Sequence, residues 1–439
     1  MWPSLRTLAA QILLTIACLP PSASFAEPLR LTLDDAIQRA LASNPDILSD
    51  SAQVSIAQAA VRRSSAPFPS NPYLSFGASR RAETGGRPNV FVFLSQEVEI
   101  AGQRGARMRA ATFNLQQESW NLAQKRLALV ADVKSAFARV LGRQQRLSVL
   151  QKQLDLARQL QRAAAVDRAT LSEQIDRNNA TIQVGRYQRD LWALEEERDN
   201  ELDGLRRLVG VDWDQELEVE GELQRSMVIL PPPATLIAHA AGERADLQAF
   251  RAALAAADAQ LEVYRRERIP NLTLSGSYSR FDSSDFAGGD VGVTLPLFQT
   301  KEADIQEALA QRERISLQLQ DLERAVGREI RQAYRAYLNA AREVQLLADE
   351  LLPLAEQNSR LQQRLLQRDE ATRAELLSQQ IDTLELRKDH IEALEKLNLA
   401  LNDLERAVGG KLPESGKEPI PRSSPAAPHE AHVEDHATK

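Results

Sequence analysis

Ile391-Glu392-Ala393-Leu394-Glu395-Lys396-Leu397-Asn398-Leu399-Ala400-Leu401-Asn402-Asp403-Leu404-Glu405-Arg406-Ala407-Val408 closes a run from Lys301 to Gly410 whose only proline is Pro353. Ile381, Leu384, Ile391, Leu394, Leu397, Leu401, Leu404 and Val408 recur mainly at steps of three and four, with Lys388 breaking the line. That spacing predicts a helix with a narrow apolar seam packed on other helices. The run reads as two long helices joined by a short turn. At about 1.5 Å rise per residue, arms of roughly 40 to 60 residues are about 60 to 90 Å long, several times an average globular helix. Helices of that length need neighbours along their whole extent.

Working outward, the 439 residues contain 5% aromatic and 26% charged residues and carry a formal net charge of −7. This mixture suits long helices better than one broad core. No basic block appears, so no nucleic-acid partner is expected. Arg6, the apolar run Leu8 to Cys18 and then Ser24-Phe25-Ala26 read as a signal peptide, residues 1–26, cut after Ala26. Cys18 is the only cysteine; a lipoprotein reading would acylate it, and cleavage after Ala26 would remove it. No later apolar run reaches the length of a transmembrane helix.

Thr32 reads as the N-cap of a short helix, Asn44-Pro45-Asp46 as a break before a second, and prolines 67, 69 and 72 as its end. Tyr73 to Ser79 and Val90 to Glu97 then alternate as strands around a polar Gly85-Gly86 turn. Helical periodicity returns over 104–210, with a turn near Ala163 to Ser172. Pro231-Pro232-Pro233 marks a linker, and the same order begins again. Helices are expected near Ala234 to Ala241 and Arg244 to Arg268, then a strand from Leu272 to Phe281. A Gly288-Gly289 turn and a strand Val291 to Pro296 follow, ahead of the hairpin 301–410.

Asp46-Ile47 answers Asp246-Leu247, Leu94 answers Leu295, and Leu205 to Gly210 answers Leu404 to Gly409, all at nearly one offset. The chain therefore reads as a duplicated unit, 27–230 and 231–410, with strand pairs at 73–97 and 272–297. Residues 411–439 are rich in Pro, Ser, Glu and His and are expected to be disordered. Four strands have open edges to satisfy. In a membrane every backbone polar group needs a partner, so strands must close into a barrel of at least eight. Three chains giving four each would close twelve; a small soluble sheet capping a helical bundle is the other reading.

The layout resembles the outer-membrane efflux proteins typified by TolC. Leu351-Leu352-Pro353-Leu354-Ala355-Glu356, Ala374-Glu375-Leu376-Leu377-Ser378-Gln379-Gln380 and Leu401 to Gly410 are similar to that family's last-hairpin pattern. Leu94 to Arg107 is similar to the strand-to-helix junction of its heavy-metal branch, typified by CzcC. The resemblance implies a mainly α fold with a small β part. Three chains would form a twelve-stranded outer-membrane barrel in contact with lipid, continued by a periplasmic tube of helices. It implies a passive exit duct docked on a membrane-fusion adaptor and an inner-membrane pump of the RND type, with no cofactor. Heavy-metal cations are the expected cargo; a drug or general efflux duct, or a soluble periplasmic coiled-coil scaffold, are the alternatives.

The resemblance also assigns residues. The hairpin turns, Val166, Asp167, Arg168, Thr170 and Leu171 with Arg368, Asp369, Glu370, Thr372 and Arg373, would meet the adaptor and pinch the channel, unless they are solvated loops. Asp369 stands where the family usually has glycine. Glu375 falls where the family often places an acidic residue near the constriction. In a threefold assembly it would form a carboxylate ring attracting cations, or else it is a solvent-facing helix residue. His429, His432 and His436, interleaved with carboxylates in the tail, offer a weak site for Zn, Co, Ni or Cu beside a plain polar tail. No His-Glu-x-x-His, phosphate-binding glycine loop or G-x-S-x-G is present, so an enzyme is not expected.

Overall fold

A computed structural model of the protein describes residues 29–80, 88–163, 171–225, 227–281 and 284–413. The expected signal peptide with Cys18, the tip residues Val166, Asp167, Arg168 and Thr170, and the tail with His429, His432 and His436 lie outside the described residues. In chain order the elements are β1 (Leu29–Leu31), α1 (Leu33–Ser43), α2 (Pro45–Ser64), β2 (Tyr73–Ser79), β3 (Asn89–Val98), α3 (Gln103–Ala163) and α4 (Leu171–Val209). There follow β4 (Leu217–Val219), α5 (Pro233–Glu243), α6 (Ala245–Glu267), β5 (Leu272–Phe281), β6 (Ser284–Val293), α7 (Glu302–Gln345), α8 (Leu352–Gln367) and α9 (Arg373–Val408). Two helices, two strands and two long helical arms thus follow one another twice. The chain divides into two compact units, and each draws on both halves of the sequence.

The first unit holds residues up to Pro45 with Asp132–Leu223 and Asn358–Ile391. β1 and β4 pair in parallel, Leu29 opposite Leu217 and Leu31 opposite Val219. Their outward Arg30 reaches Glu218 at 3.0 Å and Glu220 at 3.4 Å. Thr32 and Asp35 form a reciprocal capping box that starts α1. Leu147, Leu150 and Leu154 of α3 pack on Leu191 of α4, a seam at helical spacing. Gly210 ends α4 at φ +68, and a side chain there would meet Ser43 Oγ at 2.8 Å. Ser43 Oγ donates to the Val209 carbonyl at 2.9 Å and Asn44 Nδ2 to that of Leu208 at 3.4 Å, so the α1–α2 corner caps the end of α4.

The second unit holds Asp46–Ala131, Gln224–Gln357 and the chain from Glu392 on. Leu236 and Ala240 of α5, Leu247 of α6, Val326 and Ile330 of α7, and Leu404, Ala407 and Val408 of α9 form one core cluster in it. Ala106 and Ala110 of α3 meet Ala259 and Val263 of α6, where small side chains let the helices approach closely. Tyr337 is buried and donates its hydroxyl to the Val228 carbonyl at 3.0 Å. Just before Pro353 the helix widens into one π turn, Leu346–Leu351. Proline lacks an N–H and its ring crowds the carbonyl four residues back, and a π turn relieves both.

The same unit contains an antiparallel sheet in the order β2-β3-β5-β6. One expectation is corrected here. Gly288-Gly289 is no turn but lies within β6, opposite Ser277 and Gly276, and the strand ends at Val293, not Pro296. Pairing to β5 sets its extent, overriding a local sequence poor in strand-forming residues.

Candidate functional site

The register of the sheet sorts its residues onto two faces. Leu74, Phe76 and Ala78 of β2 stand opposite Leu94, Val92 and Val90 of β3. Leu94 and Val92 continue to Gly276 and Tyr278 of β5, Leu274 stands opposite Gln96, and β6 adds Val291, Gly289 and Ala287. Apart from Gln96 and the Arg280–Asp285 end, this face is therefore apolar across all four strands, and Leu74, Phe76, Leu94, Leu274 and Val291 on it are each exposed. It ends at Arg280 opposite Asp285, whose Nε–Oδ1 and Nη2–Oδ2 contacts are 2.6 and 2.9 Å. From Leu272 to Arg280 the strand runs roughly 26 Å, close to the apolar band of about 25 Å around an outer-membrane barrel.

The other face is mainly hydroxyl and glycine. Ser75, Ser79, Ser95, Thr273, Ser275, Ser277 and Ser279 lie on it with Asp290, Gly288 and Gly292. Among them Phe91 lies over Gly77, where an added Cβ would meet its ring at 2.1 Å. Tyr73 and Phe93 meet edge to face at 6.4 Å. Among the described residues β2 and β6 each have one sheet neighbour, so both keep one unpaired edge there.

The junction from β3 to α3 is a clasp. Gln103, almost wholly buried, donates through Nε2 to the Ile269 carbonyl and to Asn271 Oδ1, both at 3.1 Å, and accepts from Ala101 N–H at 2.8 Å. Asn271 Nδ2 in turn donates to Glu97 Oε1 at 2.8 Å, and Arg107 pairs with Glu99. Gly102 at φ +72 leaves room for Arg266, which donates to the Ala101 carbonyl at 2.9 Å. The residues that carry the heavy-metal-like signature are thus engaged in joining strand to helix. Sequence reasoning did not single out Gln103; a glutamine between Gly102 and Arg104 gives no periodic signal.

In the first unit, α8 ends in a motif that satisfies its last carbonyls: Asp369 N–H donates to Leu366 at 3.2 Å and Glu370 N–H to Leu365 at 3.0 Å. Asp369 has φ +58, the left-handed region. The chain therefore keeps the backbone geometry that glycine would provide, and aspartate is one of the side chains that tolerate it. Asp369→Gly is expected to leave the turn intact, and Asp369→Val to loosen it by about 1–2 kcal/mol. Hydrogen exchange of the 361–376 peptide checks this, with faster exchange for the valine variant alone.

Thr372 starts α9 through a second capping box. Thr372 N–H donates to Glu375 Oε2 at 3.0 Å, and Glu375 N–H to Thr372 Oγ1 at 3.2 Å. Glu375 also receives Gln362 Nε2 at 3.5 Å. It borders a cavity of about 670 Å³ between the end of α3 and the starts of α4 and α9, together with Glu173 and Asp176. Leu171 begins α4 at 79% exposure, and Arg368, Asp369, Glu370, Thr372 and Arg373 are exposed. Among the described residues no group of three or more His, Cys, Asp or Glu is placed to hold a metal ion. No described helix is long and apolar enough to cross a membrane.

The sequence profile of the outer membrane efflux protein family matches residues 36–211 and again 236–410. Protein CyaE of Bordetella pertussis is 29% identical over 343 residues, covering 74% of this chain and 72% of that protein. The pyoverdine export outer membrane protein OpmQ of Pseudomonas aeruginosa is 28% identical over 267 residues, 56% of each chain. The open-state MtrE outer membrane channel of Neisseria gonorrhoeae superposes with a TM-score of 0.71 at 17% identity, over 86% of this chain and 89% of that one.

Proposed function

This chain belongs to the outer membrane efflux protein family, and from that premise we propose that three copies close a twelve-stranded barrel that serves as the exit duct of a tripartite pump. The TolC-like fold and the outer-membrane location, with helices extending into the periplasm, belong to the family; it is a family of channels and not of enzymes. The observation that carries the reading is the four-stranded sheet, apolar on one face, hydroxyl-lined on the other and open at both edges. Two copies would give eight strands, whose interior side chains fill. Three is the smallest number that leaves a lumen, and it turns the serine face towards water.

The duct is passive and docks on a periplasmic membrane-fusion adaptor and an inner-membrane RND pump through Leu171, Arg368, Asp369, Glu370, Thr372 and Arg373, with Val166, Asp167, Arg168 and Thr170 of the other turn. We assign heavy-metal cations as cargo on the resemblance of Leu94 to Arg107 to the heavy-metal branch. The similarity to a pyoverdine exporter favours general efflux as the second reading. A deletion strain sensitive to Zn, Co, Cd, Ni or Cu supports the first, and sensitivity to drugs alone supports the second. The protein is expected to fractionate with the outer membrane and run as a detergent-resistant trimer; release by a carbonate wash would favour a soluble scaffold.

Glu375 is proposed as a carboxylate ring at the periplasmic constriction. Its cap and its charge are separable, because glutamine also completes a capping box. Glu375→Gln is expected to keep the start of α9 and weaken block of the reconstituted channel by divalent cations. Glu375→Ala is expected to lose about 1 kcal/mol of capping as well. Unchanged block in the glutamine variant would reduce Glu375 to a helix cap.

A further inference from the structure

Helix α4 carries two seams. On one face Ala180 and Leu191 are buried, and Val184, Tyr187 and Leu194 pack on the leucines of α3. On the opposite face Leu171, Ile175, Asn178, Ile182, Gly185, Arg189 and Trp192 follow one another at steps of four and three, the heptad of a helix that winds along another helix. All of these residues are exposed, Ile182 by 54% and Trp192 by 63%. A side chain added at Gly185 would meet nothing within 4 Å, so the middle of the seam is open to close approach. From Leu171 to Trp192 the seam runs roughly 30 Å. Single exposed apolar side chains are ordinary; Leu171, Ile175, Ile182 and Trp192 in one heptad register mark a contact surface for a helix.

Charge narrows what covers it. Arg189 stands in the seam and pairs with Asp190 at 2.6 Å, and Arg186 is exposed on the flank beside it. Of the other exposed helix faces in the first unit, α8 offers Leu361 with Arg360 and Arg364 close by, and α9 offers the polar stripe Glu375, Ser378 and Asp382. A second copy would therefore meet the α4 seam either with like charge or without apolar side chains to fill it. The fitting occupant is a helix of another protein, apolar at its own heptad positions opposite Ile175 and Ile182 and carrying Glu or Asp at the flank opposite Arg186.

We propose that one helix of the periplasmic adaptor lies along α4 from Leu171 to Trp192, with a carboxylate against Arg186. This rests on the exit-duct reading above, in which Leu171 is already an adaptor contact. Docking then runs up the side of the tube and is not confined to its tip.

The test places the photo-crosslinker p-benzoylphenylalanine at position 171, 182 or 192 of the full chain in cells and maps the products by mass spectrometry. The expected result is that all three positions capture one periplasmic protein other than this chain. The residues captured from 182 and 192 fall about ten apart in one heptad-patterned segment with carboxylates on its flank. Arg186→Glu is expected to cut capture from position 182 about ten-fold and Arg186→Lys to keep most of it. Changing the facing carboxylate of the captured helix to lysine restores capture by the Arg186→Glu chain. Capture from 171 alone means end-on docking, which overturns the seam and leaves the adaptor reading standing. Capture from 182 and 192 of only lipid or a second copy, or capture unchanged by Arg186→Glu, also overturns the seam. No second protein captured from any of the three positions overturns both the seam and the adaptor docking on which it rests.

Discussion

Leu94→Arg is expected to abolish assembly of the protein in the outer membrane, while Ser95→Arg, one residue along the same strand, leaves it in place. Leu94 lies midway along β3 on the apolar face, between Leu74 and Gly276, and is 49% exposed in the single chain. A guanidinium at that depth on the lipid side of a barrel costs about 2–4 kcal/mol, and a ring of three copies bears the penalty three times. Ser95 stands between Tyr73 and Ser275 on the hydroxyl face, which would meet water in the lumen. Because strand propensity and position are nearly shared, the contrast isolates the face. Heat-modifiable trimer in outer-membrane fractions is the readout. Equal assembly of the two variants would mean that the apolar face does not meet lipid.

Arg244→Ala carries the largest expected loss of stability in the second unit. Arg244 is 6% exposed and sits at the corner between α5 and α6. Its fork meets Asp246 at 3.0 and 2.6 Å, Glu329 at 2.8 Å and the Ala407 carbonyl near the end of α9 at 2.7 Å. Burial works to lower its pKa, but the two carboxylates outweigh it and the net direction is upward, so the cation is secure. Removing it takes the guanidinium from a mostly buried Asp246, which keeps the Leu247 N–H at 2.8 Å, and uncaps the Ala407 carbonyl, while the half-exposed Glu329 rejoins solvent at little cost. The expected loss is about 3 kcal/mol, the lower end for breaking a buried pair. Arg244→Lys keeps the charge but not the fork and is expected to lose about half as much. Arg244→Met with Asp246→Leu, which removes both charges and keeps the volume, is expected to recover most of the loss. Thermal unfolding of the detergent-solubilised protein ranks the variants; an Arg244→Ala midpoint equal to wild type would refute the clasp.

The sequence made the repeating order of elements legible because its signals are periodic. Seams such as Leu147, Leu150 and Leu154 keep helical spacing, and Leu272 to Phe281 alternates cleanly. What it hid depends on partners distant in sequence. Gly276 opposite Gly289 makes β6 a strand through its neighbour, so the glycine pair looked like a turn until the pairing was known. Asp369 looked like a departure from a glycine position, yet it takes the same left-handed backbone. Glu375 was read for its charge, and its hydrogen bonds first make it a helix cap, a signal present in Thr372-Arg373-Ala374-Glu375 as a capping-box spacing. Arg244 gave no motif. Asn44, two hundred residues earlier, holds the end of α4 with a neutral amide where Arg244 holds α9 with a charged fork.

The number of chains that close one barrel tests the central claim most directly. Native mass spectrometry of the protein extracted from carbonate-washed outer membranes is predicted to give three chains per particle, with no monomer until the detergent is made denaturing. A monomeric mass, or loss of the protein into the carbonate wash, would contradict a duct built from three four-stranded sheets.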